Sequence, residues 1–262
     1  MTSSNPPRRL IFGTVAEDYD RYRPAYPDEL FDLLLDRAAP DAVLDVGSGT
    51  GKLAAGFAAR DLPGHAVEPN TAMATVLASN LPATWSIEIS DFETCEAAGR
   101  SDWPLITCAQ AWHWIDHEQG LGRSRELLAP GATLAICWNR PSFVDTPLRR
   151  EMDEIYDRLA PNMDSSLRGR DVKPKGSERV LETVDAGQPP EGYREVEHVE
   201  LFWEQRYDAA GWVGNIATHS NHLLLEPDLR SELLGEVGAA IDRHGGEFVL
   251  PYRIDLLLFT AT

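Results

Sequence analysis

The sequence predicts an α/β fold built on a parallel sheet with helical crossovers. Two observations lead there. Five short apolar runs alternate with helical stretches between Ala42 and Trp138, and a glycine-rich turn joins the first run to the helix that follows it. Tyr26–Ala39 carries apolar residues at Leu30, Phe31, Leu34, Leu35 and Ala38, a helical stripe that Pro40 ends. Ala42–Val46 reads as a buried strand, and Leu53–Ala59 as an alanine-rich helix broken by Pro63-Gly64. A second strand is expected at His65–Glu68, then a helix through Met73, Val76 and Leu77 capped by Asn70 or Thr71. Strands three and four are expected at Thr84–Ile89 and Leu105–Ala109. Asp116 with Gln119 resembles a capping box opening a helix to Leu128. Ala129-Pro130-Gly131 is read as a turn into a fifth strand, Thr133–Trp138.

Beyond Asn139 the rhythm changes. Leu148–Leu159 reads as a helix, and Ala160–Gly192 as either a mobile lid or a loop holding a short helix. Val196–Tyr207 and Tyr252–Thr260 read as strands, with a helix at Asp228–Arg243, and the pairing of these late strands stays open. No single linker divides the 262 residues, so one domain is expected: lid helices over 12–40, a core over 41–140, a cap or insertion over 141–192, and C-terminal strands and helices over 193–262.

Composition narrows the partners. Twenty-four Lys+Arg against 42 Asp+Glu give a net charge of −18, which opposes binding to nucleic acid or anionic lipid. Lys52, Lys173 and Lys175 are the only lysines. No uncharged apolar run reaches membrane-span length, and Met1–Arg9 has no apolar signal core. Cys95, Cys108 and Cys137 are odd in number and lack a metal spacing, which suits reduced thiols in a cytoplasm. His198, His219, His222 and His244 are scattered, so no metal site is expected.

The turn after the first strand reads Val43-Leu44-Asp45-Val46-Gly47-Ser48-Gly49-Thr50-Gly51. Glycines there allow a tight turn and bring a ligand against bare backbone at a helix N-terminus. The spacing is G-x-G-x-G rather than the G-x-G-x-x-G of dinucleotide folds, and no phosphate-loop pattern is present. Glu68 ends the second strand about twenty residues on, where a carboxylate grips ribose hydroxyls. Asp91-Phe92 follows the third strand and Gln110-Ala111-Trp112-His113-Trp114 the fourth. All four features fall at the carboxyl ends of consecutive parallel strands, where open α/β sheets bind ligands.

With these residues in view, the sequence resembles the class I S-adenosylmethionine-dependent methyltransferases, and within them the small-molecule branch called type 11. The resemblance rests on VLDVGSGTGKLA from Val43, AVEPN from Ala66, ISDFE from Ile89, AQAWHWID from Ala109 and LLAPGATLAICW from Leu127, with FGTVAEDYDRYRPAYP from Phe12 as a lead helix. It implies a Rossmann-like, seven-stranded, mostly parallel sheet with helices on both faces and an antiparallel last strand. It implies S-adenosyl-L-methionine as cofactor, with Gly47, Ser48, Gly49 and Gly51 around its methionine portion. Asp45 would steady the loop or meet the amino group, and Glu68 would take both ribose hydroxyls. Pro69 and Met73 would face adenine, Asp91 would hold its amino group beside Phe92, and Gln110 would sit near the amino-acid portion. Tyr19, Tyr22 and Arg23 would close over the site, Arg23 as partner for the cofactor carboxylate.

Methyl transfer from a sulfonium needs mainly alignment, with a base for acidic nucleophiles. His113, the titratable side chain of the Gln110–Trp114 run, is the candidate base, expected near the ordinary imidazole pKa; the alternative is that it orders the flanking tryptophans. Trp112 and Trp114 suggest aromatic walls toward the acceptor. The Gln110-Ala111-Trp112-His113 run departs from the Asp/Asn-Pro-Pro-aromatic motif of enzymes that methylate DNA amino groups, and Cys108 follows Thr107 rather than a proline. A small-molecule acceptor is therefore expected. Two alternatives are a relative that uses the same donor without methylating, for instance by cyclisation, and a catalytically silent cofactor-binding module. The sequence specifies neither the acceptor atom nor an oligomeric state.

Overall fold

The structure is a computed structural model that describes residues 8–163 and 189–262. The Ala160–Gly192 stretch read as a lid or loop lies mostly outside the described residues. In chain order the helices are α1 Ala16–Tyr22, α2 Asp28–Ala38, α3 Ala54–Ala58, α4 Thr71–Asn80, α5 His117–Leu127 and α6 Pro147–Leu159. After these come α7 Ala209–Ala217, α8 Ser220–Leu223 and α9 Pro227–Arg243. The strands are β1 Val43–Val46, β2 Gly64–Val67, β3 Trp85–Glu88, β4 Trp103–Ala109, β5 Leu128–Pro141, β6 Tyr193–Asp208 and β7 Glu247–Ala261.

The seven strands form one sheet in the order β3-β2-β1-β4-β5-β7-β6, mixed, with the last strand antiparallel and helices on both sides. β1 pairs in parallel with β2 and β4, β2 with β3, and β4 with β5. The order reverses at β1, so the ends of β1 and β4 flank the switch point where this class of sheet binds ligands.

The chain clusters into two compact units. A sheet unit takes the described residues of Ala25–Arg140, Lys173–Leu201 and Ile254–Thr262; a helical unit takes those of Met1–Pro24, Pro141–Val172 and Phe202–Arg253. β6 and β7 each run from one unit into the other along the chain. In the sheet unit, Leu44, Val46, Ile106, Cys108, Leu134, Ile136, Trp138 and Phe259 are removed from water, since parallel strands are covered on both faces. In the helical unit, α6 presents Leu148, Met152, Ile155 and Tyr156 at helical spacing to a core with Trp212, Ile216, Leu233, Val237, Ile241 and Tyr252. Burying each such side chain fully contributes roughly 1.5–3 kcal/mol.

Caps end where the sequence places them. Asn70 Oδ1 accepts from Ala72 N and Met73 N, and Asp116 Oδ1 accepts from Gln119 N at 3.0 Å. The turn expected at Ala129-Pro130-Gly131 is instead a bulge inside β5. Trp103 pairs with Leu128 and Leu105 with Thr133, so two residues of β4 advance against five of β5. Proline cannot donate to the ladder and Gly131 sits at φ +78°, so the extra residues loop out and pairing resumes. α7 and α8 have no counterpart in the periodicity reading, because both are short and α7 carries two glycines.

Candidate functional site

The loop after β1 is built from left-handed backbone: Gly47, Gly49 and Gly51 have φ of +64°, +59° and +90°. Two of them are also pressed by neighbours. A Cβ on Gly47 would stand 2.4 Å from Ala111 Cβ, and one on Gly51 2.6 Å from Leu77 Cδ1. Gly47 N and Ser48 N both donate to Val67 O, at 2.8 and 3.2 Å, which fastens the loop to the end of β2. Ser48 Oγ donates back to Asp45 O at 2.8 Å.

Two acids anchor the loop. Glu68 is buried, and its Oε2 accepts from Gly49 N while Oε1 accepts from Asn70 N, each at 2.8 Å. Burial raises its pKa and these two N–H bonds oppose that; the nearby charge of Asp91 pushes it up further. Asp45, inside β1, accepts from Thr107 Oγ1 at 2.7 Å through Oδ1, while its Oδ2 is buried with no hydrogen-bond partner. Burial raises the Asp45 carboxyl to about 7, against the opposing bonds of Thr107 and Ser48. Thr107 is a positioning side chain that sequence reading passed over; one hydroxyl in the apolar run Leu105–Ala109 was its only signal.

Met73 is buried beside Gly49, its Cε 3.5 Å from where a Cβ would stand, and Pro69 is half-buried. Phe92 is buried at the start of a 3-10 turn, Phe92–Thr94, that follows the half-buried Asp91. At the end of β4, Gln110 takes a left-handed backbone (φ +59°), uncommon for a residue with a side chain. Its N–H donates to Cys137 O at 2.9 Å and its Nε2 to Asn139 O at 2.6 Å, holding that turn. Direct bonds and packing thus bring together Asp45, Gly47–Gly51, Glu68 and Met73, with Gln110 reaching them through Ala111.

His113 lies in the 3-10 turn Trp112–Trp114, its ring tilted against Trp114 with centroids 4.6 Å apart. Its Nδ1 is buried without a hydrogen-bond partner, and burial lowers its pKa to about 4. The ordinary imidazole value expected from sequence is therefore corrected downward, because burial disfavours the charged ring. Trp112 is buried and donates from Nε1 to His117 Nδ1 at 3.2 Å. Tyr19 and Arg23 belong to the helical unit, where Arg23 Nε donates to Thr218 Oγ1 at 2.8 Å and the guanidinium lies 5.0 Å from the Tyr19 ring centroid.

Among the described residues, one group of three potential metal ligands comes together: His198, Glu200 and Asp255, within 4.8 Å of one another. Asp255 is already ion-paired with Arg140 at 3.0 Å, and that guanidinium opposes a cation there.

No family model matches the chain. An uncharacterized methyltransferase of Mycobacterium tuberculosis is 30% identical over 250 residues, covering 93% of this chain and 90% of its own length. The chain belongs to a methyltransferase family. The methyltransferase cfoB of Aspergillus candidus is 26% identical over 186 residues, 64% of this chain and 58% of its own. In fold, the methyltransferase is similar to a protein of Anaeromyxobacter dehalogenans described as a candidate type II methyltransferase. There the TM-score is 0.64 at 23% identity, over 90% of this chain and 97% of that one. It is also similar to phosphoethanolamine N-methyltransferase 2 of Haemonchus contortus, with a TM-score of 0.55 at 14% identity over 98% of this chain and 60% of that one. That protein was solved with phosphomonomethylethanolamine and S-adenosylhomocysteine. Among the described residues, no helix is long and apolar enough to cross a membrane.

Proposed function

We propose that this methyltransferase acts in the cytoplasm as a single domain on a small-molecule acceptor, with neither nucleic acid nor membrane as partner. The observation that carries the cofactor half of this reading is Glu68, a buried acid at the end of β2 that is tied to the glycine loop by Gly49 N–H. The residues fit S-adenosylmethionine: a glycine loop in left-handed backbone at the end of β1, and a buried carboxylate oxygen, Asp45 Oδ2, with no partner. When bound, that group supplies a methyl carbon made electrophilic by a cationic sulfur that leaves as a neutral thioether.

In this reading Glu68 uses the lone pairs left on its two oxygens for the ribose hydroxyls, with Asp91, Phe92, Pro69 and Met73 around the adenine. Asp45 Oδ2 accepts from the amino-acid ammonium, and that nearby cation returns the Asp45 carboxyl to its ionised form. Gly47, Ser48, Gly49 and Gly51 line the methionine portion, and Gln110 lies beside it. The charge of −18 supports an acceptor that is not a polyanion.

Calorimetric titration with S-adenosylhomocysteine tests the cofactor assignment. Two charge-assisted bonds to ribose, each worth about 1.5–3 kcal/mol with part recovered by water, make Glu68→Ala cost roughly 2–4 kcal/mol of affinity. Glu68→Gln, which keeps one acceptor oxygen, loses less. Unchanged affinity in a folded Glu68→Ala protein would remove Glu68 as the ribose clamp.

His113 acts in its neutral form. With its pKa near 4, it is deprotonated throughout pH 6–9 and does not titrate there. His113→Gln therefore leaves the shape of the rate profile over that range unchanged, whatever it does to kcat. An inflection near pH 6.5 that the variant abolishes would restore His113 as a base of ordinary strength.

A further inference from the structure

Ser86, His65 and Glu88 form a hydrogen-bonded line in the sheet unit that the glycine-loop site does not use. β2 and β3 pair in parallel with His65 opposite Ser86, so the two side chains stand on one face of the sheet. Glu88, two residues beyond Ser86, shares that face. Ser86 Oγ lies 2.7 Å from His65 Nδ1, and His65 Nε2 lies 3.1 Å from Glu88 Oε2. His65 is buried and Ser86 is exposed, so the imidazole is held in place while the serine meets solvent.

Glu88 is held by three further bonds. Its Oε1 accepts from Glu96 N at 2.7 Å and from Ser90 Oγ at 2.9 Å, and its Oε2 accepts from Ala97 N at 3.1 Å. Burial pushes this carboxyl up, but the bonds from Glu96, His65, Ser90 and Ala97 outweigh it and hold the carboxyl below its ordinary range. An ionised carboxylate only accepts, so His65 Nε2 carries the ring proton. In the neutral ring Nδ1 is then an acceptor, and the Ser86 hydroxyl donates to it. A serine bonded to a base that a carboxylate orients is the arrangement that activates a hydroxyl as a nucleophile. The backbone adds a donor beside it. Gly64 N donates to Thr84 O and Glu68 N to Glu88 O, so by alternation the Ile87 N–H turns away from β2, to the side where β3 ends the sheet order.

We propose that Ser86 is a nucleophile for activated acyl groups, an esterase centre that shares no side chain with the glycine loop, with His65 as its base and Glu88 as a positioning residue. With an aryl acetate, Ser86 Oγ bonds the carbonyl carbon as its proton passes to His65 Nδ1, and the Ile87 N–H donates to the carbonyl oxygen. The bond from carbon to aryl oxygen then breaks, and the phenol leaves with the proton from Nδ1. Water attacks the acetyl-serine while Nδ1 takes its proton. That proton returns to Ser86 Oγ as acetic acid departs.

The test treats the full chain with a fluorophosphonate probe, read by peptide mass spectrometry, and follows hydrolysis of 4-nitrophenyl acetate. The probe is expected to modify Ser86 with loss of fluoride. Ser86→Ala, a change at an exposed position, is expected to abolish that labelling and ester turnover together. His65→Gln is expected to slow labelling at least a hundredfold, since a positioned base contributes about 10²–10⁴-fold. Should His65→Gln fail to fold, Glu88→Gln carries this arm: it turns an amide toward His65 and frees the tautomer. Glu88→Gln is expected to lower kcat for the ester at least tenfold with KM unchanged, a split that a merely structural role would not produce. The proposal is overturned if the probe leaves Ser86 unmodified or if Ser86→Ala hydrolyses the ester at the wild-type rate. Wild-type labelling in a folded His65→Gln protein, or an unchanged kcat in Glu88→Gln, overturns it as well.

Discussion

Glu68 and His222 are both buried ionisable side chains, yet their surroundings hold them in opposite ways. Glu68 is held by backbone N–H groups of the glycine loop and of Asn70, so its place depends on the path of the main chain. His222 is held by a phenol, next to a chain of amide and phenol side chains, so its place depends on side-chain identity and protonation. A site made from backbone is sensitive to added atoms. A site made from neutral imidazole is sensitive to pH.

The largest expected effect is on the backbone side. Gly47→Ala imposes a left-handed residue, costing about 1–2 kcal/mol, and drives a Cβ into Ala111, costing about 1–3 more. Urea denaturation should therefore show roughly 2–5 kcal/mol of lost stability. A loss below about 0.5 kcal/mol would mean the loop relocates freely and the contrast with the helical unit is false.

Next comes acid. His222 has a folded pKa near 4 against an ordinary 6.5, so the unfolded chain binds a proton that the folded chain refuses as pH falls. Its contribution is complete above about pH 6.5 and is lost toward pH 4, to the extent of about 3 kcal/mol. Among the described residues, the charged or titratable groups around it include Arg23, Arg230, His219 and Tyr156. Comparing wild type with His222→Phe from pH 7 to pH 4 isolates the effect from the carboxylates. Parallel stability curves would show that His222 is solvated and the helical unit no more acid-sensitive than the sheet unit.

The smallest effect joins the two behaviours at one residue. Thr107→Val removes the donor to Asp45 and leaves that buried carboxyl without its side-chain bond from β4, for about 1–3 kcal/mol. Asp45 has a raised folded pKa near 7, so the folded chain binds the extra proton and this carboxyl costs stability as pH rises toward 7. The Thr107→Val loss should accordingly be larger at pH 8 than at pH 5. Equal losses would place Asp45 in its ordinary ionised state at both.

What could be read in advance follows the same division. The alternation of apolar runs with helices, the caps at Asn70 and Asp116, and the glycine loop are local features, set by backbone chemistry within a few residues. The Pro130-Gly131 bulge was misread as a turn because turn residues and bulge residues are the same types, and only pairing with β4 distinguishes them. His113 carried an ordinary pKa in the sequence because its desolvation comes from packing. His219 and His222 looked scattered because their partners, Asn215 and Tyr156, are 4 and 66 positions away. The long-range contact that orients Asp45, from Thr107 62 positions on, was invisible for the same reason.

The contact between Gly47 and Ala111 has a consequence for how this sequence can change over time. The missing side chain at one position makes room for the methyl group at the other, 64 residues along the chain. Replacing Ala111 with anything longer presses on a loop that has no slack, and enlarging Gly47 demands a glycine at 111 before its backbone strain is even met. The two positions are therefore not independent sites of variation. The β1 turn and the β4 turn drift as a pair, and a substitution harmless in one lineage can be lethal in another that differs only at the distant partner.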